Sequence, residues 1–173
     1  MTRLTTITLA FIILCLATVG DVVAQEKQHL AFNTSAENSK YSEKTENLEL
    51  GDVPDHILRV FEIRRTYPND APIISGVKIK ESWVRGTGDR IGGIGPIIQY
   101  VEFVMENGDK IFARMDGIVE NSSGKGTGTI VGRITNGTGK FTAIQGTIRE
   151  IAKFDIKAGF NENRTEIDYT VGK

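Results

Sequence analysis

Beyond residue 50, apolar and polar positions alternate along the chain in short runs set apart by glycine, asparagine and proline. Seven such runs, at 57–66, 74–84, 97–106, 109–117, 126–135, 144–156 and 165–171, read as strands, because successive side chains of a strand point to opposite faces. A break in one of the longer runs would make eight. Between 107 and 155 the runs are separated by glycine turns at short, regular spacing, the pattern of an antiparallel barrel or sandwich. The pattern predicts an all-β fold, a single small antiparallel β-barrel of about seven to eight strands spanning 51–173.

The hydrophobic pattern also selects a register. Asn107-Gly108 marks a hairpin, and a three-residue loop from 106 to 108 sets Phe103 opposite Ile111, Val101 opposite Ala113 and Gln99 opposite Met115. A two-residue loop would place Val101 against Arg114 and Met105 against Lys110, so the longer loop is expected. The other face of this hairpin then carries Tyr100, Glu102 and Val104 against Lys110, Phe112 and Arg114, facing water or a cavity.

The N-terminal part is different. Arg3, the apolar run from Leu4 to Val19 and the small-residue site Val22-Val23-Ala24 make residues 1–24 a secretory signal peptide. The run falls short of a spanning helix and meets Asp21, so no stable membrane insertion is expected once the signal is removed. Residues 25–50 are polar and charged with few apolar positions, and read as a flexible linker. A secreted or periplasmic protein follows, its single cysteine, Cys15, lying inside the signal. The mature chain would have no disulfide, leaving the core and the hydrogen-bond ladders to hold the fold.

Charge excludes some chemistry. Lys and Arg number 21 against 22 Asp and Glu, with two histidines, His29 and His56, so neither a nucleic-acid surface nor a zinc cluster is suggested. No G-x-S-x-G is present, and the glycine-rich stretch 85–96 (RGTGDRIGGIGP) has no G-x-G-x-x-G and no terminal Lys-Ser or Lys-Thr. It is expected as a flexible barrel-mouth loop, and His56 as a solvated turn residue. No cofactor or metal is expected. Four N-x-S/T triplets, at Asn33, Asn121, Asn136 and Asn163, fall in segments read as turns or linker.

Carboxylates on otherwise apolar strand faces are the candidates for chemistry, since an acid enclosed in a barrel has its pKa raised. Glu150 shares a face with Ile148, Ala152, Phe154 and Ile156; Glu81 shares one with Val77, Ile79 and Trp83; Glu62 follows Leu58 and Val60. One bulge would turn any of them to solvent.

The passage ENGDKIFARMDG, followed by GKGTGTIVGRITNGTGKFTAIQG, resembles the allene oxide cyclase barrel-like and dirigent-like superfamily, in particular its small secreted bacterial members, over 51–173. The resemblance implies a small antiparallel barrel with a central cavity. It also implies that Glu62, in Phe61-Glu62-Ile63-Arg64, stands where the cyclases carry a reactive acid. Arg64 replaces the asparagine of that motif, and the mature chain lacks the cysteine of those pockets. The expected function is therefore a non-catalytic barrel that binds a small apolar or amphipathic ligand, or guides one in a dirigent-like way, with Glu62, Arg64, Glu81, Trp83 and Glu150 as its ligand-binding residues. The alternatives are an isomerase cyclising an unsaturated fatty-acid epoxide through Glu62, and a cell-surface interaction module displaying the 86–95 loop. A homo-oligomer is compatible with each.

Overall fold

Ten strands account for most of residues 26–172, which are those the computed structural model describes. The expected signal peptide, with Cys15, lies outside the described residues. The strands are β1 (Gln28–Thr34), β2 (Lys40–Glu49), β3 (His56–Thr66), β4 (Ile73–Ile74), β5 (Val77–Ile91), β6 (Ile94–Met105), β7 (Lys110–Ser122), β8 (Lys125–Gly137), β9 (Gln145–Asp155) and β10 (Phe160–Thr170). All pairings are antiparallel. The sheet runs β1-β10-β9-β8-β7-β6-β5-β3-β2, with the short β4 paired to β5 off this path.

The all-β class matches the expectation, while the strand count and the closure differ. Residues 25–50, expected as a flexible linker, carry both edge strands of the sheet. In β1, Leu30 and Phe32 alternate toward the core while His29, Ala31 and Asn33 face out. Most of β2 is exposed and charged, yet its backbone pairs with β3 from Lys40↔Thr66 to Glu49↔Ile57. A segment too polar to build a core is ordered here by borrowing a ladder, and its charges discourage pairing with another chain.

No ladder joins β1 to β2 among the described residues. Side chains span the gap instead. Arg65 on β3 donates to the Asn161 carbonyl at 3.3 Å and to Asn161 Oδ1 at 3.0 Å on β10, and to Ser39 Oγ at 2.9 Å. The Ser75 amide donates to Tyr169 Oη at 3.1 Å, and Ser75 Oγ to Gln28 Oε1 at 3.2 Å. The sheet therefore curls until opposite ends of its path touch through side chains, with the hydrogen-bond ladder left open.

Phe61, Ile97, Val101, Phe103, Met115, Ile130, Ile148 and Ile167 are among the buried apolar residues of the inner face. The β6–β7 hairpin has the anticipated register, Phe103↔Ile111, Val101↔Ala113 and Gln99↔Met115. The stretch 85–96 is no mobile loop: β5 continues to Ile91, Gly92 and Gly93 turn the chain with φ of 60° and 86°, and β6 begins at Ile94.

His56 is engaged by two carboxylates. Its Nδ1 lies 2.6 Å from Asp52 Oδ1 and its Nε2 2.7 Å from Asp89 Oδ1, which ties the β2–β3 connection to the end of β5. Both nitrogens must donate to satisfy both acids, so the ring is held as imidazolium and its pKa is raised, by the Asp89 bond first and the Asp52 bond second. A raised folded-state pKa contributes stability that is complete below the unfolded value of about 6.5 and is lost as pH rises through the folded value. Urea midpoints taken between about pH 6 and pH 9 should fall accordingly, and His56→Gln should flatten that limb. Equal pH slopes for the two proteins would disprove the strut.

Candidate functional site

The inner faces of nine strands enclose a cavity of about 270 Å³. Its walls are mainly apolar, with Phe32 from β1, Phe61 and Ile63 from β3, Val84 from β5, Val101 and Phe103 from β6, Ile130 from β8 and Ile148, Ala152 and Phe154 from β9. Two inward-facing glycines make room for the rings. A Cβ at Gly86 would come within 2.6 Å of Phe61 Cζ, and one at Gly126 within 2.5 Å of Phe154 Cζ.

Polar groups are set into this wall. Alternation along β9 carries Ile148, Glu150, Ala152 and Phe154 to the cavity, and Ile156, just past the strand, reaches its lining too. Protein surrounds Glu150, and the accessible surface it keeps faces the cavity. Burial raises its carboxyl pKa, and the field of Arg65 with the amides of Asn163 and Gln99 opposes this only in part. Asn163 Oδ1, beside it, is buried without a hydrogen-bond partner. Gln99, 3 % exposed, turns its amide toward Glu150 and also makes a weak 3.7 Å contact with Met115 Sδ. Ser82 and Tyr67 share a 3.1 Å bond farther along the wall.

Arg65 is 4 % exposed, stacked on Tyr41 at 5.3 Å and bonded to neutral groups alone, Ser39 and Asn161. Its burial lowers its pKa, but a guanidinium remains charged. At another part of the lining, Arg59 bonds Glu43 and donates to Thr45 Oγ1 at 2.9 Å, and Arg90 stands in their field.

Four of the five expected site residues lie on the outer face. Glu62 and Arg64 do share a face of β3, but the cavity side of that strand is Arg59, Phe61, Ile63 and Arg65. Glu62 accepts from Arg85 Nε at 2.8 Å and has Lys44 at 3.7 Å, and the Arg85 bond holds its carboxyl below the usual range. Arg64 donates to Glu81 Oε2, not to Glu62, at 2.9 and 2.6 Å. A bulge between Ile79 and Glu81 shifts the alternation, so Ile79 points in while Glu81 and Trp83 point out. Trp83 then lies between the guanidinium groups of Arg64 and Arg85, at 5.3 and 4.8 Å from its ring. Glu62, Arg64 and Trp83 meet in a shallow outer cleft with Ser42 and Lys44. Of the five, Glu150 alone lines the cavity.

Sequence reasoning passed over Arg65, Arg90, Gln99 and Asn163. Arg59 and Arg65 share a face with Phe61 and Ile63 and flank them, a signal that was available and masked by the apolar Leu58 and Val60 of the other face. Asn163, in an N-x-S/T triplet read as turn or linker, lies in β10 and faces the cavity, and Asn33, Asn121 and Asn136 also lie in strands. Among the described residues no cluster of three His, Cys, Asp or Glu could hold a metal ion. In comparisons with known proteins, no family model, curated protein or solved structure matches this chain.

Proposed function

We propose that this protein binds a small apolar or amphipathic molecule inside its curled, barrel-like sheet, without transforming it. The observation that carries this reading is the cavity of about 270 Å³, apolar over most of its wall and furnished with the polar groups Glu150, Gln99 and Asn163, the last with an Oδ1 that has no hydrogen-bond partner. Ligand sites have this character: mainly hydrophobic lining with a few polar groups that fix orientation. The signal-like N-terminus supports a role outside the cytoplasm, and the resemblance to barrels with a central cavity points the same way. Cyclisation through Glu62 draws no support from the geometry, because that carboxylate is ion-paired on the outer face.

A cavity-filling variant tests the proposal. The neutral dye 1-aminoanthracene should bind saturably with enhanced fluorescence and be displaced by octan-1-ol. Ala152→Trp, which puts an indole into the cavity, should weaken dye binding by at least about tenfold while the β-sheet circular dichroism is kept. Unchanged dye affinity in a folded Ala152→Trp protein would refute binding inside the sheet.

A further inference from the structure

The ionic side chains of the cavity do not balance. Glu43, Arg59, Arg65, Arg90 and Glu150 line it, so one positive charge remains in excess even with both carboxyls ionised. The raised pKa of Glu150 enlarges that excess. A cation drawn partly out of water into an apolar wall is costly unless an anion pairs with it.

The three arginines are not equivalent. Arg65 spends its donors holding β3 to β10 and to Ser39. Arg59 is taken up by Glu43 and Thr45. Arg90 has a buried Nε with no hydrogen-bond partner. The carboxylate whose field reaches it, Glu43, is already bonded to Arg59 and accepts from Thr45 Oγ1 at 3.0 Å, while Arg59 itself adds positive potential. Gly88 leaves this guanidinium its place, since a Cβ there would stand 3.3 Å from Nε.

We propose that the ligand is an amphipathic organic anion whose single charged group is bound by Arg90 while its apolar part occupies the hydrophobic wall. The proposal rests on the cavity-binding reading above and adds the charge of the ligand and the residue that selects it. The planar donor fork of Arg90 suits an oxyanion, and charge-assisted bonds in a desolvated setting discriminate strongly against a neutral analogue.

A matched series separates the two readings: octane-1-sulfonate, octan-1-ol and octyltrimethylammonium titrated calorimetrically into the protein at low salt. The sulfonate should bind at least about tenfold more tightly than the alcohol, with the ammonium weakest. Arg90→Gln should bring the sulfonate down to the affinity of the alcohol and leave the alcohol unchanged, and Arg90→Lys should restore most of the difference. Equal wild-type affinities for sulfonate and alcohol would overturn the anion assignment and leave the cavity reading standing. A preference that survives Arg90→Gln would overturn Arg90 as its source. Failure of all three compounds to bind would overturn both readings. Should Arg90→Gln not fold, the wild-type ratio and Arg90→Lys still decide: the preference must be present in the first and largely kept in the second.

Discussion

Phe141→Ala should lower unfolding free energy by about 3–5 kcal/mol, the usual cost of removing a fully buried phenylalanine ring. Phe141 is 0 % exposed and sits on a single 3₁₀ turn, Gly139–Phe141, between β8 and β9. No strand ladder holds this turn. What fixes it is the ring, the Ile144 side chain at 4 % exposure, and a bond from the Lys140 amide to Asp109 Oδ2 at 3.0 Å. Gly139 is required there because its φ is 52° and a Cβ would fall 1.9 Å from Asp109 Oδ1. For a domain of this size the loss corresponds to a fall in melting temperature of roughly 10 °C. A denaturation midpoint equal to that of wild type would show that the ring does not anchor the segment.

Gly132→Ala is expected to be as damaging, although it adds a single methyl group. Gly132 lies inside β8, paired with Met115 on one side and Ile148 on the other. A Cβ would stand 2.1 Å from the Arg114 carbonyl oxygen and 2.6 Å from Met115 Cα, both backbone atoms of the neighbouring strand. Relieving that clash means flattening the curl of the sheet, at about 3 kcal/mol or more. The entropic gain of Gly→Ala, about 0.4–1 kcal/mol, cannot offset it. Gly128→Ala, four residues earlier on the same strand, is the control. Its nearest neighbours are the side-chain atoms Ile130 Cδ1 at 3.2 Å and Val119 Cγ2 at 3.3 Å, which can give way, so its cost should stay within about 1 kcal/mol. Similar melting curves for the two variants would refute the view that in-strand glycines set the curvature.

Those glycines mark where sequence reading stops. In the stretch rich in glycine, regular spacing reads as strand, turn, strand. Gly108, Gly124 and Gly139 are indeed turn residues with positive φ. Gly117, Gly126, Gly128, Gly132 and Gly146 are not; they lie within strands. One residue type serves two physical needs, a left-handed backbone in a turn and close approach of strands in a coiled sheet. Local sequence does not separate them, because the second need exists only once the neighbouring strand is in place.

The site divides along the same line. Alternation alone carried Glu150 to the inner face, since β9 pairs with both neighbours without a register shift. It failed for Glu81, where the bulge after Ile79 reverses the faces, and for Glu62, where both faces of β3 mix apolar and charged residues. The edge strands were missed for a related reason. Composition tests whether a segment can bury its own surface, and β1 and β2 are ordered by partners supplied from elsewhere in the chain.

By itself, then, the sequence determined the all-β class, the run of antiparallel hairpins and the β6–β7 register, because period-two patterning and turn chemistry act over a few residues. The tertiary structure decided which face became the cavity, which glycines bend the sheet, and that Arg90 and Glu150 would line the same cavity. Those features depend on strands remote in sequence curling toward one another, and a buried charge acquires its cost and its use only after water has been excluded around it.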